Sequence, residues 1–296
     1  MVGNNEKSIL QTLAYADIFD YPLTRDEIWR FLISRKKTSE KSIQETLNEQ
    51  INSIAVKNGY YALAKRTHII DKRIEREDYS SRKFLIAHKI SSYISCMPSV
   101  LLVGVSGGLA MKNVAKEDDI DFFVITKTGT VWLTRLVILI ILEFFRVRRK
   151  RLETDVADKI CLNMLLDEDS LCISYAKQNL YSAHEVAQMI PLFQRNTIYQ
   201  RFIHENAWTE TFLPNALSSS MYQALSIKQK KGNSLFLFAS LLAIGELVAK
   251  KIQLWHIAKH KTEEVTKDNL LAFYPSDYHN KVLTQYKKRL AQYKIL

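Results

Sequence analysis

Apolar residues along this chain change their spacing from one stretch to the next, and the changes mark its parts. From Lys7 to Ile18 they fall at helical intervals, through Ile9, Leu10, Leu13, Ala14 and Ile18, which predicts a helix with one buried stripe. Tyr21-Pro22 interrupts it. Thr24, with Glu27 three residues on, carries the signature of a capping box. Trp29, Phe31, Leu32 and Ile33 give the helix behind it an apolar side. A third helix is expected from Thr38 or Ser39 through Ile43, Leu47 and Ile51. In Ile54-Ala-Val-Lys-Asn-Gly-Tyr-Tyr-Ala-Leu63, Asn58-Gly59 stands between two apolar runs, the pattern of a tight hairpin. Three helices followed by a hairpin predict a winged-helix domain over residues 1–68.

Beyond it the pattern becomes α/β. A long, charged, amphipathic helix is expected from Ile69 to about Ser95, ended by Pro98. Three strands are expected: Val100–Val105, Asp119–Thr126 and Ile160–Leu166, with Leu171–Ser174 as a short fourth. A helix from Leu109 to Val114 follows the first strand. Another, from Val131 to about Arg148, is apolar nearly all round and should pack on at least two sides. Residues 69–176 thus form the core. Residues 177–296 are expected to be helical, over Tyr181–Ile190, Arg195–Thr209, Leu235 to about Lys261 and Asn280–Tyr293. Pro191, Pro214 and Pro275 punctuate them, and Ser218–Ser220 lies in a polar linker.

The chemistry concentrates in the core. The first strand runs into a small-residue turn, Ser106-Gly107-Gly108, and the second opens on Asp119-Ile120-Asp121. Residues two apart on a strand point the same way, so Asp119 and Asp121 present neighbouring carboxylates. Like charges that close are costly unless a cation lies between them. Two carboxylates beside a turn that exposes backbone N–H groups suit a divalent cation and a polyphosphate.

This arrangement resembles the nucleotidyltransferase fold of the DNA polymerase beta superfamily, whose pattern is a hydrophobic residue, Gly, Gly or Ser, a gap of about ten residues, then Asp-hydrophobic-Asp or Glu. The resemblance covers about a third of the chain, from Lys83 to Ser174. It implies an α/β (α+β) core with a small mixed sheet, and Mg²⁺ or Mn²⁺ held by Asp119 and Asp121. Ser106, Gly107 and Gly108 would cradle the phosphates of a nucleoside triphosphate, and Lys112 would neutralise phosphate charge or stand solvated on a helix. A third carboxylate usually completes such sites. Here the third strand carries Asn163 at the expected position, on a face shared with Cys161 and Leu165, opposite Ile160, Leu162, Met164 and Leu166. Asp158 and Asp167 bracket the strand and could serve in another register. Glu117 and Asp118 read as solvated loop carboxylates.

Composition sets bounds. The chain has 296 residues, 47 % hydrophobic and 25 % charged, enough for a well-buried core in two or three domains. Cys96, Cys161 and Cys172 have no paired spacing and read as buried thiols in a reducing, cytoplasmic setting. The N-terminus has no secretory pattern. Leu136–Leu142 and Gly232–Gly245 are apolar but shorter than the ~20 residues that span a bilayer. Both are expected as buried core helices, with peripheral membrane binding as the rival. The net charge of +11, densest at Arg146–Arg151 and continued at Lys228–Lys231, Lys250-Lys251 and Lys287–Arg289, suits a polyanionic partner, a triphosphate, or a solvated surface. The third helix of the wing domain offers Glu40, Lys41, Gln44, Glu45, Asn48 and Glu49, which favours a protein-binding or structural role over nucleic acid. His256 and His260, four apart before Glu263 and Glu264, could hold a transition metal but read as exposed, while His184 and His204 stand isolated. Two functions are therefore expected. One is Mg-dependent nucleotidyl transfer to an undetermined acceptor. The other is an inactive fold acting as nucleotide sensor or as a nucleic-acid or protein scaffold.

Overall fold

In the computed structural model the described residues are 3–49, 51–150, 153–217, 229–230, 239–258, 265–272 and 277–295. They form a mixed α/β (α+β) protein. The N-terminal part contains α1 (Asn4–Ala16), β1 (Leu23–Thr24), α2 (Arg25–Arg30), α3 (Glu40–Asn48), β2 (Ile54–Lys57) and β3 (Tyr60–Leu63). The capping box forms: the Thr24 hydroxyl accepts from the Glu27 N–H at 3.3 Å, and the Glu27 carboxylate accepts from the Thr24 N–H at 2.8 Å. Asn58 and Gly59, both at positive φ, turn the β2–β3 hairpin, whose register pairs Lys57 with Tyr60. β3 also pairs with β1, giving the order β1-β3-β2.

The larger sheet has the order β8-β7-β4-β5-β6-β10-β9. Its centre is β4 (Val100–Val105), β5 (Ile120–Thr126) and β6 (Ile160–Asp167). β4 and β5 are antiparallel, β5 and β6 parallel. Two strands differ from the sequence reading. β7 (Ile190–Arg195) adds antiparallel to β4, and β10 (Leu270–Ala272) antiparallel to β6. Both arise beyond residue 176, so the sheet draws on residues 177–296 as well as the expected core. Pro191 is accommodated beside a register shift opposite Val103 and Gly104, where a missing N–H costs the ladder little. The stretch Leu171–Ser174 is not a strand. Short strands β8 (Gln229–Lys230) and β9 (Val265–Thr266) close the edges.

One face of the sheet packs on α4 (His68–Ile94) and α6 (Val131–Phe144), through Ala87, Ile90, Ile94, Trp132, Ile138 and Leu142 against Val103, Val105, Ile120, Phe122, Val124, Ile160, Leu162 and Leu165. The other face packs on α7 (Leu180–Gln188) and α8 (Ile198–Glu205), through Val186, Ile198, Tyr199, Phe202 and Ile203 against Leu101, Leu102, Phe123, Ile125 and Leu166. A bulge where Phe122 pairs with Leu162 and Phe123 with Met164 leaves Asn163 unpaired. An extra residue reverses the alternation beyond it. Leu165 therefore joins Ile160 and Leu162, and Met164 and Leu166 turn to the other side, which corrects the uninterrupted alternation expected for this strand.

Of the two apolar stretches, Leu136–Leu142 lies in α6 and buries Ile138 and Leu142 in the core, while residues 232–238 of the other lie outside the described residues. α9 (Ala239–Ala258) buries Ala249 and Gln253 against α6 but exposes Ile244, Leu247, Val248, Ile252 and Trp255. Ile140 and Phe144 of α6 are exposed as well. The charge that ends the second apolar run, Glu246, caps α6: its two oxygens accept from the N–H groups of Trp132 and Leu133 at 2.8 and 2.7 Å. That pairing satisfies two orphan donors and places an anion at a helix N-terminus. No helix among the described residues is long and apolar enough to cross a membrane.

The N-terminal part is welded to the rest. Asp17, 2 % exposed, receives Arg66 Nε and Arg289 Nε, each at 2.6 Å. Arg289 lies on α10 (Tyr278–Gln292), so this one carboxylate joins three segments. Asn215 bridges to the Trp29 carbonyl and the Thr38 N–H, and Arg30 donates to the Ala187 carbonyl. Cys96 and Cys172 are exposed, contrary to expectation, because they lie past the end of α4 and in a loop; only Cys161 is sheltered. His256 is exposed on α9, while His260, Glu263, Glu264 and Ser218–Ser220 lie outside the described residues.

Candidate functional site

Asp119 and Asp121 arrive at the N-terminal end of β5 because the loop before it is clamped from below. Lys83, 2 % exposed on α4, donates from Nζ to the carbonyls of Lys116 and Asp118 at 3.0 and 2.7 Å and to Asp158 Oδ1 at 2.8 Å. Three acceptors satisfy the three donors of a buried ammonium. Asp158 is thereby a structural partner of Lys83. Asp167 is at the opposite end of β6, paired with Thr126 and accepting from the Asp169 N–H. Neither completes the site.

The turn above β5 follows from its glycines. The Ser106 N–H donates to the Asp121 carbonyl at 3.0 Å, tying turn to strand. Gly107 has φ +61°, and a Cβ there would lie 2.9 Å from Asp121 Oδ2. At Gly108 a Cβ would come within 3.1 Å of Val114 Cγ1. So Gly107 is required both by its left-handed backbone and by the carboxylate packed on it. The helix behind the turn, α5 (Gly107–Ala110), ends early. Lys112 follows it at φ +51°, exposed and not among the residues lining the cavity. Ser106 is buried and does not line the cavity either.

Asp121 shares a sheet face with Phe123 and Ile125, the face covered by α7. Opposite it in the parallel register is Cys161, not Asn163. The ligating atoms of Asp119, Asp121 and Cys161 lie within 4.8 Å of one another. Asn163 lines the same cavity from the bulge. Burial pushes the Asp121 carboxyl up to about 7, with Asp119 and Glu185 adding to the rise and Arg149 opposing it. Burial and the two aspartates push the Cys161 thiol up to about 12. A neutral thiol is a poor ligand for a hard cation. The two neighbouring carboxylates are oxygen donors of the kind that fit Mg²⁺ or Mn²⁺, and the Asn163 amide lines the same cavity.

Arg149 Nη1 stands 2.5 Å from Asp119 Oδ2. It gets there because α6 ends in a left-handed Arg146, after which Val147–Arg149 runs beside the start of β6, with the Arg149 N–H on the Ile160 carbonyl. Part of the basic cluster is therefore built into the site.

Asp121, Cys161, Asn163 and Arg149 open onto a cavity of about 650 Å³. Its other walls come from the N-terminal part (Tyr15, Phe19, Tyr21, Phe31), from α7 (Tyr181, His184, Glu185, Gln188) and from Tyr278 on α10. Glu185 is a carboxylate that sequence spacing did not single out; burial pushes it up to about 7, with Tyr181 hydrogen-bonded to it. His184 stacks on Tyr15 at 4.0 Å between ring centroids, and burial holds it neutral, down to about 3. Arg76 reaches the same cavity and donates to Asn113 Oδ1 at 3.1 Å. Nothing local in the sequence links residues 15, 76, 149, 185 and 278; only the assembled fold does. Comparison with family models, with curated proteins and with solved structures returns no match to this chain.

Proposed function

We propose that the chain is a metal-dependent nucleotidyltransferase of the DNA polymerase beta type, with an N-terminal winged helix that serves as a wall of the substrate cavity. The observation that carries this reading is the packing of Gly107 on Asp121, beside Asp119, at the edge of a cavity that also holds Arg149 and Arg76. Asp119 and Asp121 would hold the divalent cation. When bound, that ion supplies Lewis-acid stabilisation of the attacking and leaving oxygens. Gly107 and Gly108 let the backbone approach the triphosphate, and Arg149 and Arg76 offset its charge. The acceptor oxygen or nitrogen forms a bond to the α-phosphorus as the bond to the β-phosphate oxygen breaks. Pyrophosphate leaves with that electron pair, and the acceptor's proton passes to a carboxylate on the cavity wall.

A second reading has its own observation. Arg149 already neutralises Asp119, and a thiol stands where a third carboxylate would be expected. Both features suit a fold kept as a nucleotide sensor. Incubating the protein with each labelled triphosphate, Mg²⁺ or Mn²⁺ and a cell extract, beside Asp119→Ala/Asp121→Ala, separates the two. Label transfer that the double variant loses supports the enzyme. Metal-dependent triphosphate binding without transfer supports the sensor, and the absence of both refutes both.

A further inference from the structure

The cavity wall carries two chemically different sets of residues. One is Arg76 and Arg149, with the Gly107-Gly108 turn. The other is Glu185, near enough to Asp121 to raise that carboxyl, among the rings of Tyr15, Tyr181 and Tyr278 on the α7 wall that also carries His184. Tyr181 and Tyr278 meet edge to face with centroids 5.7 Å apart, and Tyr15 packs in the same way on Tyr286 at 5.6 Å. A polyphosphate is drawn to the arginines and the open turn, and Glu185 has no place in holding it, so the triphosphate belongs with the first set. The second set is left for the other substrate.

Two features describe what that substrate must present. Glu185 hydrogen-bonds to Tyr181 but forms no ion pair among the described residues. Enclosed charges are ordinarily paired, and the faces of surrounding aromatic rings attract a cation as well. His184 is 4 % exposed, and its Nε2 has no hydrogen-bond partner among the described residues, while the Gln188 amide N–H faces Nδ1 at 3.1 Å. With Nδ1 accepting, Nε2 carries the proton and is a donor without an acceptor. A cation for Glu185, an oxygen for His184 and an apolar body for the tyrosines make one description.

We infer that this second set of residues binds a small amine that also carries a hydroxyl or carbonyl oxygen, its ammonium on Glu185 and its apolar body between Tyr15 and Tyr278. The inference rests on the transferase reading for its role, since such a molecule would then be the nucleotide acceptor. Its binding is testable alone. The N-terminal part, in this view, selects a small molecule and does not read nucleic acid.

The test uses the full-length protein without nucleotide or metal, with phenylethylamine, phenylethanolamine and phenylacetate as probes in saturation-transfer NMR and thermal-shift titrations. Binding of both amines at least ten-fold tighter than phenylacetate, with phenylethanolamine the tighter amine, is the expected result. In Glu185→Gln the amine preference should disappear, while Tyr278→Ala should weaken both amines. Equal binding of phenylacetate, or no amine binding, overturns the inference on the wild-type protein alone, whatever the variants do. An amine preference that a folded Glu185→Gln protein retains overturns it too. Failure here with intact label transfer leaves the enzyme standing with another acceptor. Amine binding without label transfer keeps this site and removes the enzyme.

Discussion

Replacing Gly107 by alanine tests the packing on which the functional reading depends. The residue has φ +61°, where a Cβ costs about 1–2 kcal/mol. The new Cβ would also lie 2.9 Å from Asp121 Oδ2, closer than carbon and oxygen approach without a bond. Asp121 then has to leave its rotamer, at about 1 kcal/mol. Gly129 supplies the control. It has φ +68°, and a Cβ there meets nothing within 4 Å, so Gly129→Ala carries the backbone cost alone. The entropy that alanine removes from the unfolded chain is common to both and cancels in the difference. Gly107→Ala should therefore lower stability by about 2–3 kcal/mol and Gly129→Ala by about 1–2 kcal/mol, read as urea midpoints. Only Gly107→Ala should also weaken metal-dependent triphosphate binding, because it displaces a carboxylate proposed to ligate the ion. Equal midpoints for the two variants, or unchanged triphosphate binding in Gly107→Ala, would refute the idea that this glycine is kept for Asp121.

Four further outcomes are expected. Glu185 has a folded-state pKa raised to about 7, so between its unfolded value and that pH the unfolded chain releases a proton the folded chain keeps. Its contribution to stability therefore falls as pH rises from about 4 to about 7 and is flat above. Glu185→Gln should gain on wild type over that window, by at most about 3 kcal/mol, in denaturation midpoints measured from pH 5 to 8 (about that span,); a constant difference would show that Glu185 ionises normally. Asp17→Asn leaves Arg66 and Arg289 without their buried carboxylate and should cost about 3–5 kcal/mol, with a midpoint shift under about 1 kcal/mol refuting the weld. Lys83→Met strips the donor from the Lys116 and Asp118 carbonyls and should cost about 1–3 kcal/mol while weakening Mn²⁺ binding, seen by manganese electron paramagnetic resonance; unaltered Mn²⁺ affinity would show that the clamp does not position Asp119. Cys161→Ala should leave Mg²⁺ affinity within about two-fold, since a thiol this hard to deprotonate contributes little to a hard cation, and a ten-fold loss in calorimetric titration would make it a ligand.

The elements that carry their own local signal were legible in the sequence. Thr24 and Glu27 announced the start of α2, which stops at Arg30 before Phe31, Leu32 and Ile33; Asn58-Gly59 announced the hairpin, and three apolar runs the central strands at nearly their observed bounds. Strands completed by distant partners were not. β7 contains Pro191 and follows directly on a helix, and β10 is three residues long; each is a strand because a neighbour offers an unpaired edge. The bulge at Asn163 belongs to the same class. Strict alternation was the only reading the residues allowed, and the mismatch between β5 and β6 that inserts an extra residue exists only once the two strands pair.

The site divides along the same line. Asp119, Asp121 and Gly107 lie within fifteen residues of one another and were found from spacing. Arg149 was visible only as part of a basic cluster, where a solvated surface is the ordinary account, and it enters the site because Arg146 turns the chain back along β6. His184 and Glu185 sit on an unexceptional helix, and Tyr15 is one apolar position in α1. What they share is a cavity, and the cavity is framed by Asp17, which holds the N-terminal part against α10, and by Lys83, which holds the loop that carries the aspartates. The consequence is a coupling that a single perturbation can expose. If the N-terminal part were an independent reader of nucleic acid, loosening it with Asp17→Asn would leave triphosphate binding at the Gly107 turn and amine binding at Glu185 equally untouched. As a wall of the cavity, it should lose amine binding first, because Tyr15 is its contribution, while the turn and the aspartates, held by Lys83 on α4, continue to bind the triphosphate.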